Sequence, residues 1–377
     1  MKTIPRTKTP IRFLTLSLWL APDLSALAAF LLLRHNRAMM NAWTVRFASP
    51  LQAALGKLCA FVPFSVMEPL IVALVLCALC YLAWSVRAVV RAHGNRVRRA
   101  LYQILGGCCA ALCMIAVFCW MWGVYYWADS FQNKSGLHAA PIAPETLRAV
   151  TEYFADGLTR SADGVARDET GAFAVSVKEI LAKAPYIYDT LETRYPFLAF
   201  NDTGVKPMAF SRLMSRMDFT GLYCACTGEA NVNIDSPACL LASTAAHEMA
   251  HQRGFASEQE CNFLAVLACL TSGDPVYTYS GWLMGYIYLA NALYGADPDA
   301  YFAIRDRLPE VVRVDLARNN AYWNQFRDGV IRKAATKAYD GILKGYGESR
   351  GMKSYGAMVD LLAAYYGNAS AAYNSGN

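Results

Sequence analysis

The stretch His247-Glu248-Met249-Ala250-His251 decides how this chain of 377 residues is interpreted. Two histidines at positions i and i+4 project from one face of an α-helix, one turn apart, so both imidazoles can reach a single metal ion. The glutamate between them lies beside the metal, where it can take a proton from a metal-bound water molecule. The pattern predicts a zinc site with His247 and His251 as ligands and Glu248 as the catalytic base.

The residues around this motif favour the helix that the motif requires. Ser236 is typical of an N-cap, and Pro237 is typical of the first helical position. Residues 238–253 contain no helix breaker, and Gly254 is typical of the position just beyond a helix end. We therefore expect one continuous helix that carries both histidines.

A strand is expected directly before this helix. Residues 230–235 alternate between apolar and polar side chains, which is the period of a β-strand. In many metallopeptidases such a strand pairs with an extended substrate. Glu229, Ala230 and Asn231 are therefore predicted to bind the substrate backbone.

The third metal ligand is inferred by elimination. Besides the two histidines of the motif, the chain contains only His35, His93 and His138. The first two belong to an apolar region at the front of the chain, and His138 lies near the end of that region. A carboxylate is therefore expected to complete the ligand set.

Two glutamates follow the motif closely, and their surroundings distinguish them. Ser257 and Glu260 form a capping-box pattern for a new helix, which gives Glu260 a structural role. Glu258 is then left to face the metal. Asn262, one turn further on, is expected to hold the Glu258 carboxylate by a hydrogen bond.

The front third of the chain differs from the rest in charge and hydropathy. Residues 1–127 carry 13 Lys and Arg against 2 acidic residues, whereas residues 128–377 carry 22 against 27. Overall, 55% of residues are hydrophobic and 17% are charged; the latter is below the roughly 25% usual for globular chains. This composition excludes a disordered chain, and the acidic rear half argues against nucleic acid binding, which needs a basic stripe on the folded domain.

Three apolar stretches predict a membrane anchor of about three transmembrane helices. Each stretch reaches the roughly 20 residues that cross a bilayer core. The predicted organisation is an anchor over residues 1–127, a linker over 128–145 and a domain over 146–377. The predicted spans are residues 13–33, 61–84 and 101–127.

The distribution of positive charge predicts the orientation of the chain in the membrane. Nine Lys and Arg lie in the tail before the first span and in the loop after the second, against five in the first loop and after the third span. Because short cytoplasmic segments carry the excess of positive charge, residues after 127 are expected outside the cytoplasm. Residues 13–28 alternatively form a cleavable signal peptide, which leaves the rear domain on the same side.

Four segments of the sequence resemble a known family. They are Thr227–Asn233, His247–Ala256, Glu258–Leu264 and Ser354–Leu362. Together they look like the bacterial membrane proteins grouped as domain of unknown function 3810, which are regarded as zinc-metallopeptidase-like. The resemblance covers most of the chain, including the apolar spans.

A more distant resemblance concerns the third ligand. Glu258-x-x-x-Asn262 is similar to the ExxxD element of gluzincins, in which the first Glu is the third zinc ligand and Asp stands where this chain has Asn. In gluzincins a Tyr or His often stabilises the oxyanion. The matching segment at the C-terminal end makes Tyr355 the candidate for that role. The implied fold is an α+β, mainly helical, zincin-like domain with a small β-sheet.

Two functions of different classes follow from these features. The first is a zinc-dependent metallopeptidase of the bacterial cell membrane, multi-pass, with its domain outside and with peptide or protein substrates at the cell surface. The second is a catalytically silent zinc-binding sensor or scaffold that acts through partners in the membrane. Both expect Zn²⁺ and a lipid bilayer as partners, and neither involves nucleic acid.

Overall fold

The computed structural model describes residues 10–92, 94–346 and 358–374. These residues are mainly helical and contain one small three-stranded sheet, as the sequence predicts. The helices are α1 (Pro10–Leu33), α2 (Arg37–Trp43), α3 (Ser49–Cys59), α4 (Met67–Val90), α5 (Arg96–Met121), α6 (Phe131–Ser135), α7 (Pro144–Ser161), α8 (Val177–Lys183), α9 (Asp189–Arg194), α10 (Ser211–Arg216), α11 (Leu241–Gln252), α12 (Glu258–Thr271), α13 (Pro275–Ala296), α14 (Pro298–Asp306), α15 (Glu310–Asn324), α16 (Val330–Gly345) and α17 (Met358–Asn374). The strands are β1 (Val205–Pro207), β2 (Gly221–Cys224) and β3 (Glu229–Val232).

The first of two compact units contains the described part of residues 1–48 together with residues 68–128. Two of its helices, α4 and α5, are long and apolar enough to cross a membrane. The sequence predicted about three spans, whereas two helices among the described residues are long and apolar enough to be spans. Helix α1 runs over Pro10–Leu33 and contains Pro22; among the residues whose side chains are described, its apolar stretch is Leu20–Leu33.

Both membrane-length helices are displaced from the predicted positions. The second span was expected at residues 61–84, but residues 60–65 form turns around Pro63, and α4 begins only at Met67. The third was expected at residues 101–127, but α5 begins at Arg96 and ends at Met121. Hydropathy alone misses the helix ends that carry arginines, such as Arg87 in α4 and Arg96 in α5. Basic side chains in the terminal turns of a span can extend to the membrane surface, so the helix continues beyond its apolar part.

The second compact unit contains residues 49–67 and the described residues from Asp129 onwards. Its apolar core lies between α7, α11, α12 and α13. Large aromatic side chains such as Phe154, Phe263 and Tyr277 are fully buried there. Since a buried aromatic side chain removes a large apolar area from water, this core is the main source of the unit's stability.

The small sheet lies against α11, the helix that carries the histidines. Its strand order is β1-β3-β2, with β1 parallel and β2 antiparallel to β3. Successive side chains of a strand point to opposite faces. In β3, Ala230 and Val232 belong to the apolar core, whereas Glu229 and Asn231 alternate with them and point to the opposite face.

Residues 49–67 pack with the second unit, although the sequence placed them in the membrane anchor. A Cβ atom on Gly56 of α3 would lie 2.9 Å from the carbonyl oxygen of Gly228, so the two backbones are nearly in contact. The hydroxyl of Tyr223 in β2 also donates a hydrogen bond of 2.9 Å to Gln52. The unit that carries the metal-site residues is thus built from two separate stretches of the chain.

Candidate metal centre

The histidine motif lies on a helix, as its spacing predicts. Residues 238–240 form a 3₁₀ turn, and α11 then runs from Leu241 to Gln252. Gly254 follows with a φ of 85°, the left-handed conformation expected beyond a helix end. Ser236 is not the N-cap, because its hydroxyl donates to the carbonyl oxygen of Asn233 and the helical turns begin later.

Three side chains converge at one point beside α11. His247, His251 and Glu258 each offer one ligand atom, and these atoms lie within 4.8 Å of one another. Oε2 of Glu258 is 3.2 Å from Nε2 of His247 and 3.8 Å from Nε2 of His251. All three residues are buried. The residues that the sequence selected as ligands are therefore brought together.

Contacts at Nδ1 fix the orientation of the His251 ring. Its Nδ1 lies 2.7 Å from the carbonyl oxygen of Phe255, which accepts a hydrogen bond only if Nδ1 carries the proton. The thiol of Cys261 lies 3.3 Å from the same nitrogen. Nε2 then carries a lone pair that points towards Glu258 and His247. This is the usual arrangement of a metal-binding histidine, in which the second nitrogen is hydrogen bonded to the protein.

The donor set fits a metal ion. Oε2 of Glu258 is buried and has no hydrogen-bond partner among the described residues, although it faces both histidines. Lone pairs on a carboxylate oxygen and on neutral imidazoles repel one another unless a cation lies between them. Burial raises the pKa of Glu258, but protonated imidazoles of His247 and His251, which relieve this repulsion when no metal cation is present, lower it well below the usual range. Two imidazole nitrogens and one carboxylate oxygen form a ligand set typical of zinc in hydrolytic enzymes.

Glu260 has a different structural role from the predicted one. Ser257 precedes α12 but makes no side-chain capping bond. The Glu260 carboxylate instead accepts hydrogen bonds from the backbone N–H groups of Phe131, at 2.8 Å, and Gln132, at 3.1 Å. The predicted capping box between Ser257 and Glu260 is therefore wrong. The donors to Glu260 come from residues 131–132, which are far away in sequence. The choice of Glu258 over Glu260 as the residue at the histidines agrees with the geometry.

Asn262 does not hold the Glu258 carboxylate. Its side-chain amide donates a hydrogen bond of 3.3 Å to the hydroxyl of Tyr288 on α13. One helical turn separates Asn262 from Glu258, but the amide is directed towards α13. The predicted hydrogen bond between these two side chains is thus replaced by a contact that joins α12 to α13.

Tyr339 is the residue at the centre that the sequence did not reveal. Its hydroxyl donates a hydrogen bond to Oε1 of Glu258, and its ring packs edge-on against Phe219. Tyr355, the candidate taken from the family resemblance, lies outside the described residues. Tyr339 is one of 22 tyrosines and lies on α16, far from the motif in sequence, so no spacing rule selects it.

Glu248 is buried beside the edge of the sheet. A Cβ atom on Gly221 of β2 would lie 2.3 Å from its Oε1, so only glycine leaves room for the carboxylate there. The backbone of Tyr223 in the same strand forms a hydrogen bond with it. Burial raises the pKa of Glu248 to about 6, against the opposing effect of His247 and His251. A carboxyl group with this pKa can both accept and release a proton near neutral pH.

The predicted substrate strand is occupied on both sides. β3, which contains Glu229, Ala230 and Asn231, lies between β1 and β2, so neither of its edges can accept another strand. The assignment of these three residues to substrate binding is therefore incorrect. β2 is an edge strand of the sheet, and it is the strand that lies against Glu248.

The comparison with protein families agrees with the resemblance found in the sequence. The model of the family described as "Protein of unknown function (DUF3810)" matches residues 45–363, which include both membrane-length helices and the metal centre. No curated protein and no solved structure matches the chain. Since the match covers far more than half of the sequence, this chain is a member of the DUF3810 family.

Proposed function

We propose that this protein is a membrane-anchored, zinc-dependent metallopeptidase. One observation carries the proposal: the buried carboxylate of Glu248 lies next to the convergent donors of His247, His251 and Glu258 and against the edge strand β2. A proton acceptor beside a metal site, next to an edge strand, is what hydrolysis of an extended peptide requires.

Each residue of the centre has a defined role in this proposal. A zinc ion held by the three ligands would activate a water molecule and polarise the carbonyl group of the peptide bond. Glu248 would serve as the proton acceptor for the attacking water and as the proton donor to the departing amine. The hydroxyl of Tyr339 donates its one proton to Glu258 in the substrate-free centre; with substrate bound it would turn to the carbonyl oxygen and stabilise the negative charge that develops there.

The substrate backbone is proposed to pair with β2. Gly221 and Tyr223 place this strand against Glu248, so a peptide added at the outer edge of the sheet would pass close to the metal ligands. Main-chain hydrogen bonds to an edge strand accept many sequences, because they do not depend on side chains. The peptide or protein substrates expected at the cell surface therefore need an extended segment.

The proposed location is the bacterial cell membrane, with several spans and the metal centre outside the cytoplasm. Two helices long and apolar enough to span support membrane association. Five arginines lie at residues 87–99, in the connecting segment and the adjoining ends of the two helices, and support a cytoplasmic position for this end of the pair. Reporter fusions after residues 93 and 140 should therefore report opposite compartments; two cytoplasmic signals contradict this orientation.

The full-length protein, purified in detergent, allows a direct test of the chemistry. Metal content is measured together with hydrolysis of a library of fluorogenic peptides. Glu248→Gln should keep stoichiometric zinc and lose hydrolysis by a factor on the order of 10²–10⁴, because it removes the proton acceptor and no ligand. Glu169→Gln, the same chemical change at an exposed position, is the matched control and should leave both quantities unchanged.

The results also separate the proposed peptidase from a zinc-binding sensor or scaffold. Stoichiometric zinc without hydrolysis of any peptide supports the sensor. Zinc-dependent hydrolysis that survives in Glu248→Gln rules out the proposed role of this residue. A protein that binds no zinc at all contradicts both functions.

A further inference from the structure

Two buried glutamates of the second unit each bind the chain where it approaches or leaves the membrane-length helices. Glu229 of β3 accepts hydrogen bonds of 3.0 Å from the consecutive backbone N–H groups of Val66 and Met67, and Met67 is the first residue of α4. Glu260 of α12 accepts from the consecutive N–H groups of Phe131 and Gln132, the first residues of α6. We call these contacts the entry clamp and the exit clamp.

The entry clamp is reinforced by a buried lysine. Nζ of Lys206 donates to Glu229 at 2.7 Å and to the carbonyl oxygens of Cys59 and Phe64 at 2.6 and 3.0 Å. Both charged side chains are almost fully buried. Hydrogen bonds to charged groups are stronger than neutral ones, and breaking a buried ion pair is costly. Residues 59–67 are therefore fixed to the sheet and do not form a flexible linker.

The exit clamp acts close to a metal ligand. Glu260 lies two residues after Glu258 on the same helix, so Phe131 lies within about 15 Å of the ligand residue by covalent geometry. The ring of Phe131 is fully buried and packs against Phe255 and Phe263. The chain is therefore ordered within four residues of Trp127, where the third span was predicted to end.

The entry clamp places an upper limit on the distance from the metal ligands to the start of α4. Met67 bonds to Glu229, and Gly228, its neighbour, accepts a hydrogen bond of 3.1 Å from the side chain of Gln252. Gln252 directly follows His251. Standard bond lengths along this path sum to no more than about 30 Å between Met67 and the His251 ring. The metal ligands therefore lie within about 30 Å of the start of α4.

The start of α4 lies at the membrane surface if α4 crosses a bilayer. Its 24 residues extend about 36 Å as a helix, slightly more than the hydrocarbon core of about 30 Å. Met67 and Glu68 then lie in the headgroup region. Just before them, the large apolar side chains of Leu58, Phe61 and Phe64 are exposed by 65%, 86% and 53%. Large apolar side chains at this point suit contact with the lipid surface.

We propose that the substrates are membrane-anchored polypeptides that are cut close to the bilayer, in the extended segment next to their anchor. This inference rests on the proposed peptidase function and on membrane insertion of α4. A distance of about 30 Å corresponds to about nine residues of extended chain. The entry clamp keeps the ligands within that distance of Met67, so a scissile bond about ten residues from a lipid anchor can reach β2.

Lipid-tethered peptides in vesicles test the substrate class. The full-length protein is reconstituted in phosphatidylethanolamine–phosphatidylglycerol vesicles, and a peptide cleaved in the detergent screen is attached to a diacylglycerol anchor. Gly-Ser spacers place the scissile bond about 10 or about 25 residues from the lipid. With the short spacer we expect hydrolysis at least tenfold faster than for the same peptide free in solution, because tethering raises its effective concentration.

Three outcomes have distinct meanings. Hydrolysis of the short-spacer peptide in preference to the free peptide supports the inference. Equal rates for tethered and free peptide, or hydrolysis only with the long spacer, overturn it while leaving the peptidase function intact. No zinc-dependent hydrolysis of any peptide overturns the peptidase function itself and the substrate class with it.

A variant of the entry clamp provides an independent measurement. Glu229→Gln keeps the shape of the side chain but removes the charge that holds Lys206 and two backbone N–H groups. We expect the ratio of the hydrolysis rate of the short-spacer peptide to that of the free peptide to fall at least threefold. Zinc content and hydrolysis of the free peptide should be retained. An unchanged preference contradicts the role of the clamp. Glu152→Gln, at a surface ion pair with Arg148, is the matched control for loss of a carboxylate.

Discussion

The hydroxyl of Tyr339 binds one oxygen of the Glu258 carboxylate and leaves the other oxygen facing the histidines. The phenol donates to Oε1, whereas Oε2 faces Nε2 of His247 at 3.2 Å. A carboxylate bound in this way has one oxygen held by the protein and one available for a metal. Because Tyr339 lies on α16, this helix is connected directly to the metal centre.

Removal of that phenol should affect hydrolysis more than metal binding. Tyr339→Phe keeps the ring against Phe219 but removes the donor to Glu258. We expect zinc to remain bound and kcat to fall on the order of 10²–10³, the usual effect of removing a donor to a developing oxyanion. Tyr186→Phe, at an exposed position, is the control. An unchanged kcat in Tyr339→Phe rules out the proposed role.

The two neighbouring glutamates of α12 should respond in opposite ways. Glu258→Ala removes one of three ligands and should release zinc during dialysis against a weak chelator at pH 7, because two histidines alone make an incomplete site. Glu260→Ala should keep zinc but leave the buried N–H of Phe131 and that of Gln132 without their acceptor, at a cost of roughly 1–3 kcal/mol for each buried group. Metal analysis and thermal unfolding of both variants check this. Zinc loss in Glu260→Ala alone would reverse the assignment.

Gly221 should tolerate no side chain. The methyl group of Gly221→Ala would lie 2.3 Å from Oε1 of Glu248, so the carboxylate or the strand must move. We expect at least a tenfold loss of hydrolysis with zinc retained, since the base shifts and the ligands do not. Gly295→Ala in α13 meets no atom within 4 Å and should leave activity unchanged while slightly stabilising the helix. Full activity of Gly221→Ala would show that the position of Glu248 is not critical.

Asn262 and Tyr288 should behave as a structural pair. Asn262→Leu leaves the partly buried Tyr288 hydroxyl without this hydrogen-bond partner and should lower the free energy of unfolding by about 1 kcal/mol, with zinc retained. The double variant Asn262→Leu, Tyr288→Phe removes both polar groups and should recover most of that stability. Chemical denaturation of the two single variants and the double variant measures the coupling. Loss of zinc in Asn262→Leu would instead restore the role predicted from the gluzincin pattern.

Local periodicity explains which parts of the centre the sequence could predict. His247 and His251 lie one helical turn apart, and Glu258 opens the next helix, so their relationship depends on short-range geometry. Tyr339 reaches Glu258 across 81 residues of sequence, and no local pattern encodes such a contact. The same reason accounts for Glu260, whose donors lie in residues 131–132.

The sheet shows a second limit of sequence patterns. The alternation of residues 230–235 correctly indicated a strand, but alternation does not reveal how many neighbours a strand has. Glu229 resembled a polar residue at a substrate-binding edge, whereas its carboxylate is bound by Lys206 and by the backbone of Val66 and Met67. Those last two donors precede it by more than 160 residues.

The entry clamp also has a consequence for biosynthesis. Residues 49–67 leave the ribosome before α4 and α5, whereas Lys206 and Glu229, which bind them, are made after both helices. The unit with the metal centre can therefore be completed only once the chain on either side of the helical pair has reached the same compartment. A chain in which only one of the two helices crosses a bilayer leaves Lys206 and Glu229 without their partners. If α4 and α5 form the proposed membrane hairpin, assembly of the candidate metal centre therefore requires both helices to cross the bilayer.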